Sequence, residues 1–265
     1  MRLRYDDVKD DPITLRAWTG MDRVEIEHIL SSFELAWEEH RRTHHRPLPA
    51  RKRALGAGRK SQVAATIDKL FFILVYFKTY PLQEVMATLF GMSQSQVNEW
   101  IHRLTAVLQA TLTTDLYLPA RDAATLEAVL AAKVQFLSAT EPGSKHDKTV
   151  AEQTDFRFPP MSERYQDSGF QGFAPIDVVI YQPIKKRRGQ ERTDAERDHN
   201  YLVGQLRVAG EHVLAEIKRV RIVKDRFRNT KLRFADRVML IACGLHNLRQ
   251  TIRHPVSLTH AGCLT

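Results

Sequence analysis

Two carboxylates and a run of cations are the residues of this chain with the clearest capacity for chemistry. Asp167 opens Asp167-Ser168-Gly169-Phe170-Gln171-Gly172 at the end of a short extended run. Glu211 lies in Arg207-Val208-Ala209-Gly210-Glu211-His212, a segment that reads as helix. Hard carboxylate oxygens bind divalent cations such as Mg2+ or Mn2+, and two of them can hold such an ion against a phosphodiester. Downstream, Lys218, Arg219, Arg221, Lys224, Arg226, Arg228, Lys231 and Arg233 occur against a single Asp225. A stripe of this kind can track backbone phosphates without reading sequence. Taken alone, the same residues are also what a loop aspartate, a solvated helical glutamate and a solvated basic face look like. Lys185-Lys186-Arg187-Arg188 reads as a basic loop tip with the same use. His146 stands beside Asp147 without a second histidine at metal spacing, so it reads as structural.

Composition bounds the partners. The 265 residues are 43% hydrophobic and 27% charged, values of a globular chain. Lys and Arg number 40 against 31 Asp and Glu, a net charge of +9 with a pI near 9.7. That balance favours a polyanion, nucleic acid first and an anionic membrane surface second. No run approaches the ~18 apolar residues of a membrane span, and Met1-Arg2-Leu3-Arg4-Tyr5-Asp6-Asp7 does not open a signal peptide. Cys243 and Cys263 lack metal spacing, as expected of reduced thiols in a cytoplasmic protein.

The elements that must position these residues follow from periodicity. Residues 12–40 read as helical, with Val24, Ile26, Ile29, Leu30, Phe33 and Trp37 near helical spacing. Residues 41–60 carry Arg and Lys but no acid, and Pro47, Pro49, Gly56 and Gly58 break any helix, so a basic arm or solvated loop is expected. Residues 62–113 read as three helices. Pro81 precedes the second, Gly91 ends it, and Ser93 with Gln96 forms a capping box for the third. The third helix buries Val97, Trp100, Ile101, Leu104 and Leu108 and shows Gln94, Ser95, Gln96, Asn98, His102 and Arg103. A short helix, a glycine turn and a capped helix describe a helix-turn-helix. Gln and Asn at its start can pair with adenine, and Arg103 can reach guanine or phosphate. An ordinary helical bundle with a polar face has the same pattern. Beyond it, residues 123–132 read as helix and Val134-Gln135-Phe136-Leu137 and Asp177-Val178-Val179-Ile180-Tyr181 as strands, with a poorer strand from Met161 to Gln166. Residues 190–222 and 232–252 read as helices.

Several of these segments together resemble DDE-superfamily transposases of the Harbinger-like branch found in insertion sequences. The similarity runs from about residue 20 to 250 and includes Lys78-Thr79-Tyr80-Pro81-Leu82-Gln83-Glu84-Val85, Phe90-Gly91-Met92-Ser93-Gln94-Ser95-Gln96-Val97-Asn98, Pro142-Gly143-Ser144-Lys145-His146-Asp147-Lys148-Thr149, Asp167 to Gly172, Asp225-Arg226-Phe227-Arg228-Asn229 and Val238 to Leu248. The resemblance implies that Asp167 and Glu211 are the second and third acidic ligands of a catalytic triad on a ribonuclease-H-like sheet, with Asp147 beside them. It further implies a two-ion mechanism using Mg2+ or Mn2+. The family's first Asp, in an Asp-Gly-Thr segment on an early strand, has no counterpart. Ala132-Lys133-Val134 runs straight into Gln135-Phe136-Leu137-Ser138, and no Asp lies between Asp122 and Asp147. An internal deletion accounts for this.

The expected fold is α + α/β: an all-helical N-terminal half with a helix-turn-helix, then a truncated ribonuclease-H-like α/β domain. The expected division is 1–60 for an N-terminal helix and basic arm, 61–115 for the helix-turn-helix, 116–253 for the truncated endonuclease-like domain and 254–265 for a tail. The expected function is binding of double-stranded DNA, transposon ends in particular, with impaired cleavage. Gln94, Ser95, Gln96, Asn98, Arg103, Lys218 and Arg219 would make the contacts, Asp167 and Glu211 would be the catalytic residues, and Asp147 a further metal ligand. A homodimer fits this role and a membrane does not. Two alternatives stand: a working metal-dependent nuclease with a rebuilt site, and a helix-turn-helix regulator.

Overall fold

The computed structural model describes residues 2–44, 62–122, 134–141, 143–154, 158 and 161–255. The helix expected at 123–132, most of the basic arm and nearly all of the tail lie outside the described residues. The chain divides into two compact units, Met1–Leu118 with Ile217–Thr265, and Pro119–Glu216.

The first unit is helical. α1 (Pro12–Thr19) and α2 (Arg23–Thr43) are followed by α3 (Thr66–Thr79), α4 (Gln83–Phe90) and α5 (Gln94–Thr114). α3 is buried on every side from Lys69 to Phe77, as a helix apolar all round must be. It packs against α1, α2, α5 and the short α8 (Arg221–Lys224). The boundaries have local causes. Asp22 and Glu25 form a reciprocal capping box that starts α2. Gly91 takes the left-handed conformation that stops α4. Ser93 and Gln96 cap α5 as expected, with Gln96 Oε1 accepting from Ser93 N at 3.0 Å. Along α5 the buried positions recur at helical spacing through Val97, Ile101, Leu104, Leu108 and Leu112, and its first turns carry the exposed polar stripe.

The last helix, α9 (Phe234–Arg253), joins this unit although the chain reaches it through the second. It packs on α5, α2 and α8. Polar ties help fix it: Asn247 Nδ2 donates to the Tyr117 carbonyl at 2.9 Å, Arg249 Nη1 to the Gly20 carbonyl at 3.4 Å, and Arg253 Nε to Glu25 Oε1 at 2.6 Å. Glu25 is fully buried, yet its other oxygen accepts from Asp22 N, so the charge is both paired and bonded.

The second unit holds α6 (Asp147–Gln153), β1 (Ser162–Tyr165), β2 (Val178–Tyr181) and α7 (Asp194–Ile217, through Glu216). β1 and β2 are parallel with Ser162 opposite Val178 and Tyr165 opposite Tyr181, whose rings stack 4.9 Å apart. The poor strand of the sequence is therefore real. The better-patterned Val134–Leu137 is not a strand among the described residues. Among those residues it makes one parallel bridge, Phe136 with Ala120. The fold is thus mostly helical, with a small two-stranded parallel sheet among the described residues.

Candidate functional site

The loop after β1 carries Asp167. Gln166, just before it, is buried and donates to the Phe170 carbonyl (3.4 Å), the Phe173 carbonyl (3.3 Å) and Gln182 Oε1 (2.9 Å), clamping the turn. Beneath the loop the Arg164 guanidinium lies against the rings of Phe158, Phe170 and Phe173 at 5.0, 5.2 and 4.8 Å. Burial holds its pKa below the usual arginine value. Asp167 caps the Ser168–Phe170 turn by accepting from Ser168 N. Gly169 is closely approached by a side chain: a Cβ there would stand 2.8 Å from Asp147 Oδ2. Asp147, the first residue of α6, therefore sits beside the turn that carries Asp167.

Glu211 is positioned by α7. Thr193 and Glu196 cap its start, and Asn200 pins it to the chain leaving β2, accepting from Ile184 N at 2.7 Å and donating to the Ile184 carbonyl at 3.1 Å. Further along, Arg207 points one nitrogen at both carboxylates: Nη2 is 3.5 Å from Asp167 Oδ1 and 3.5 Å from Glu211 Oε1. The two oxygens are therefore no further apart than twice that distance. Residues remote in sequence meet at one cation.

These side chains have the right chemistry for one oxygen-loving divalent ion. Among the described residues they do not make up the ligand set of a two-ion centre. Arg207 stands between the two carboxylates, and no group of three or more His, Cys, Asp or Glu side chains at metal-holding distance exists among the described residues. Arg207 was missed in the sequence, although its spacing of four from Glu211 is an ordinary helical ion-pair signal. Gln166 gave no local signal, because its partners are set by the fold.

On the helix-turn-helix, Gln94, Ser95, Asn98 and Arg103 are exposed on α5. Gln96 is exposed but its carbonyl oxygen serves the cap. Asn98 Oδ1 accepts from Gln83 Nε2 at 3.1 Å, leaving its amide hydrogens for another partner. Arg103 pairs with Glu99 at 3.5 Å and lies 6.0 Å from the Trp100 ring. Lys218 and Arg219 are exposed in the turn after α7, where the Arg219 carbonyl accepts from Lys78 Nζ at 3.0 Å. Arg228, counted among the basic stripe, is spent instead on the carbonyls of Tyr80 and Pro81.

Comparison with known proteins matches these regions. Residues 65–114 match the model for the helix-turn-helix of DDE superfamily endonucleases, and residues 124–247 match that of the DDE superfamily endonuclease itself. A curated relative, the probable transposase for insertion sequence element IS702 of Microchaete diplosiphon, is 29% identical over 111 residues. That match spans 42% of this chain and 40% of the relative, less than half its length. No solved structure matches. Among the described residues no helix is long and apolar enough to cross a membrane.

Proposed function

Because this chain is related to the DDE-superfamily insertion-sequence transposases, with both a helix-turn-helix and an endonuclease-like segment, we propose that it binds double-stranded DNA and cleaves it poorly or not at all. The observation that carries the DNA-binding half is the exposed stripe on the first turns of the capped α5, where Gln94, Ser95, Asn98 and Arg103 face outward above a fully packed core. A helix held this way can lie in the major groove and present amides and a guanidinium to base edges. Gln96 contributes through the cap, and Lys218 and Arg219 contribute phosphate contacts. The natural target for such a protein is a transposon end, bound by one copy or a homodimer.

The chemical half rests on the carboxylates. Asp167 and Glu211 supply two oxygen donors already shared with Arg207, whereas two-ion phosphoryl transfer needs ligands that bridge both metals. A single Mg2+ or Mn2+ would bind between them weakly, after Arg207 swings away. Asp147 beside Gly169 is the specific observation in favour of the second reading, a nuclease with a rebuilt site. Asp147 would then stand in for the missing first Asp.

Two measurements test this. Replacing Asn98 by Ala should weaken binding to a selected duplex by about 1–3 kcal/mol while leaving mixed-sequence binding in place. A gel-shift titration showing equal loss on every sequence would remove base readout by Asn98. Pure protein incubated with Mn2+ and supercoiled plasmid should give little nicking. Robust nicking that vanishes in Asp167→Ala, Glu211→Ala and Asp147→Ala would establish the rebuilt site instead.

A further inference from the structure

The basic stripe is not one uniform face. After α8 the chain forms a loop, residues 225–233, fastened to the helix-turn-helix at three points. Phe227 stacks on Tyr80, with ring centroids 6.3 Å apart and planes 14° apart, and meets Phe234 at 6.1 Å. Arg228 lies 4.1 Å from the same Tyr80 ring. Its backbone N–H donates to the Tyr80 hydroxyl at 2.7 Å, and its guanidinium donates to the carbonyls of Tyr80 and Pro81. Tyr80 is the left-handed residue that ends α3, so the bond to its carbonyl satisfies an acceptor the helix end leaves open. Phe234 is buried and meets the His102 ring of α5 at 5.0 Å. Asn229 Oδ1 accepts from Lys231 N at 3.0 Å and tightens the tip.

What the anchors leave outside is cationic. Arg226, Lys231 and Arg233 are exposed, and none of them takes part in an ion pair among the described residues. Asn229, Thr230 and Lys231 line one cleft, of about 520 Å³, with Gln94, Asn98 and His102 of α5. The charge of the loop is felt there: burial first, then Lys231 and Arg237, hold the His102 pKa below its usual value.

We propose that the 225–233 loop is a wing of the DNA-binding unit, in which Arg226, Lys231 and Arg233 grip backbone phosphates of the duplex whose major groove α5 enters. This rests on the DNA-binding reading above and adds a contact surface to it. The surface comes from sequence matched to the endonuclease segment, yet it is built onto the helix-turn-helix. Phosphates flank the groove a recognition helix occupies, and contacts to them fix register without specifying bases. Because the loop is pinned by Phe227, Arg228 and Phe234, its cations are presented with little backbone ordering left to make on binding.

The full chain would be titrated with a fluorescein-labelled mixed-sequence duplex over about 50 to 200 mM salt. The variant Arg226→Gln/Lys231→Gln/Arg233→Gln should lower the slope of log affinity against log salt by about 2.7, about 0.9 for each lost phosphate contact. A control, Lys9→Gln/Arg16→Gln/Arg23→Gln, removes the same charge from cations already paired with carboxylates and should keep the parental slope. The conservative Arg226→Lys/Arg233→Lys variant should also keep it. A wing variant with the parental slope, or a control that loses as much, overturns the wing while DNA binding stands. A parent that does not bind duplex overturns both. Matching circular dichroism melts for the variants exclude unfolding as the cause of a lost slope.

Discussion

Arg207 holds the two acidic side chains of the candidate centre, and removing it should raise the affinity of that centre for a divalent ion. One guanidinium nitrogen is 3.5 Å from both Asp167 and Glu211, and any metal that uses both carboxylates must first break these pairs. The carboxylates are more than half exposed, with side-chain exposures of 58% and 62%, so water screens them heavily. Each pair is then worth roughly 0.2–1 kcal/mol, and the two together roughly 0.4–2 kcal/mol. At about 1.4 kcal/mol per decade, Arg207→Gln should tighten Mn2+ binding by roughly 2- to 30-fold. Isothermal titration with Mn2+ would read this directly, and electron paramagnetic resonance of free Mn2+ would confirm the stoichiometry of one. In the Arg207→Gln background, Asp167→Asn should return the affinity to the parental level or below. An unchanged or weaker Mn2+ affinity in Arg207→Gln would refute the argument that Arg207 competes for the two carboxylates.

Other expectations concern the first unit. Lys69 is buried beside Trp37 and donates to the Ala64 carbonyl, and burial lowers its pKa from 10.5 to about 8. The unfolded chain then binds more protons between about pH 8 and 10.5, so stability should rise with pH across that window, by at most about 3 kcal/mol. Urea melts should show Lys69→Met ahead of the parent at pH 7 and the gap closing towards pH 10.5; a constant gap would contradict this. Arg253→Ala leaves the buried Glu25 carboxylate without its cation and should cost about 2–3 kcal/mol, measured by chemical denaturation, whereas a loss under about 0.5 kcal/mol, as for an ordinary surface change, would show that Glu25 needs no partner.

The helices of the N-terminal half were legible because their signals are local. The capping pair Ser93 and Gln96, the stop at Gly91 and the apolar spacing of Val97, Ile101, Leu104 and Leu108 all act within a few residues, and α5 starts where they indicate. The placement of Asp167 after an extended run and of Glu211 on a helix was legible for the same reason. Strand pairing was not. Ser162–Tyr165 is a strand despite its polar sequence because β2 supplies the ladder, whereas Val134–Leu137 contributes, among the described residues, a single parallel bridge, Phe136 with Ala120.

Tertiary structure alone decided three further things. It brought Asp167 and Glu211 to a single guanidinium, a meeting that depends on how α7 is pinned to the exit of β2. It separated the cations of the basic stripe into Arg228, which closes α3, and Arg226, Lys231 and Arg233, which face solvent. It also returned residues 217–253 to the helical unit, where Asn247, Arg253 and the apolar face of α9 find their partners. Composition and periodicity report what a residue does to its own turn of chain. Which distant group satisfies a buried amide, a carboxylate or an apolar face is fixed only when the chain closes on itself.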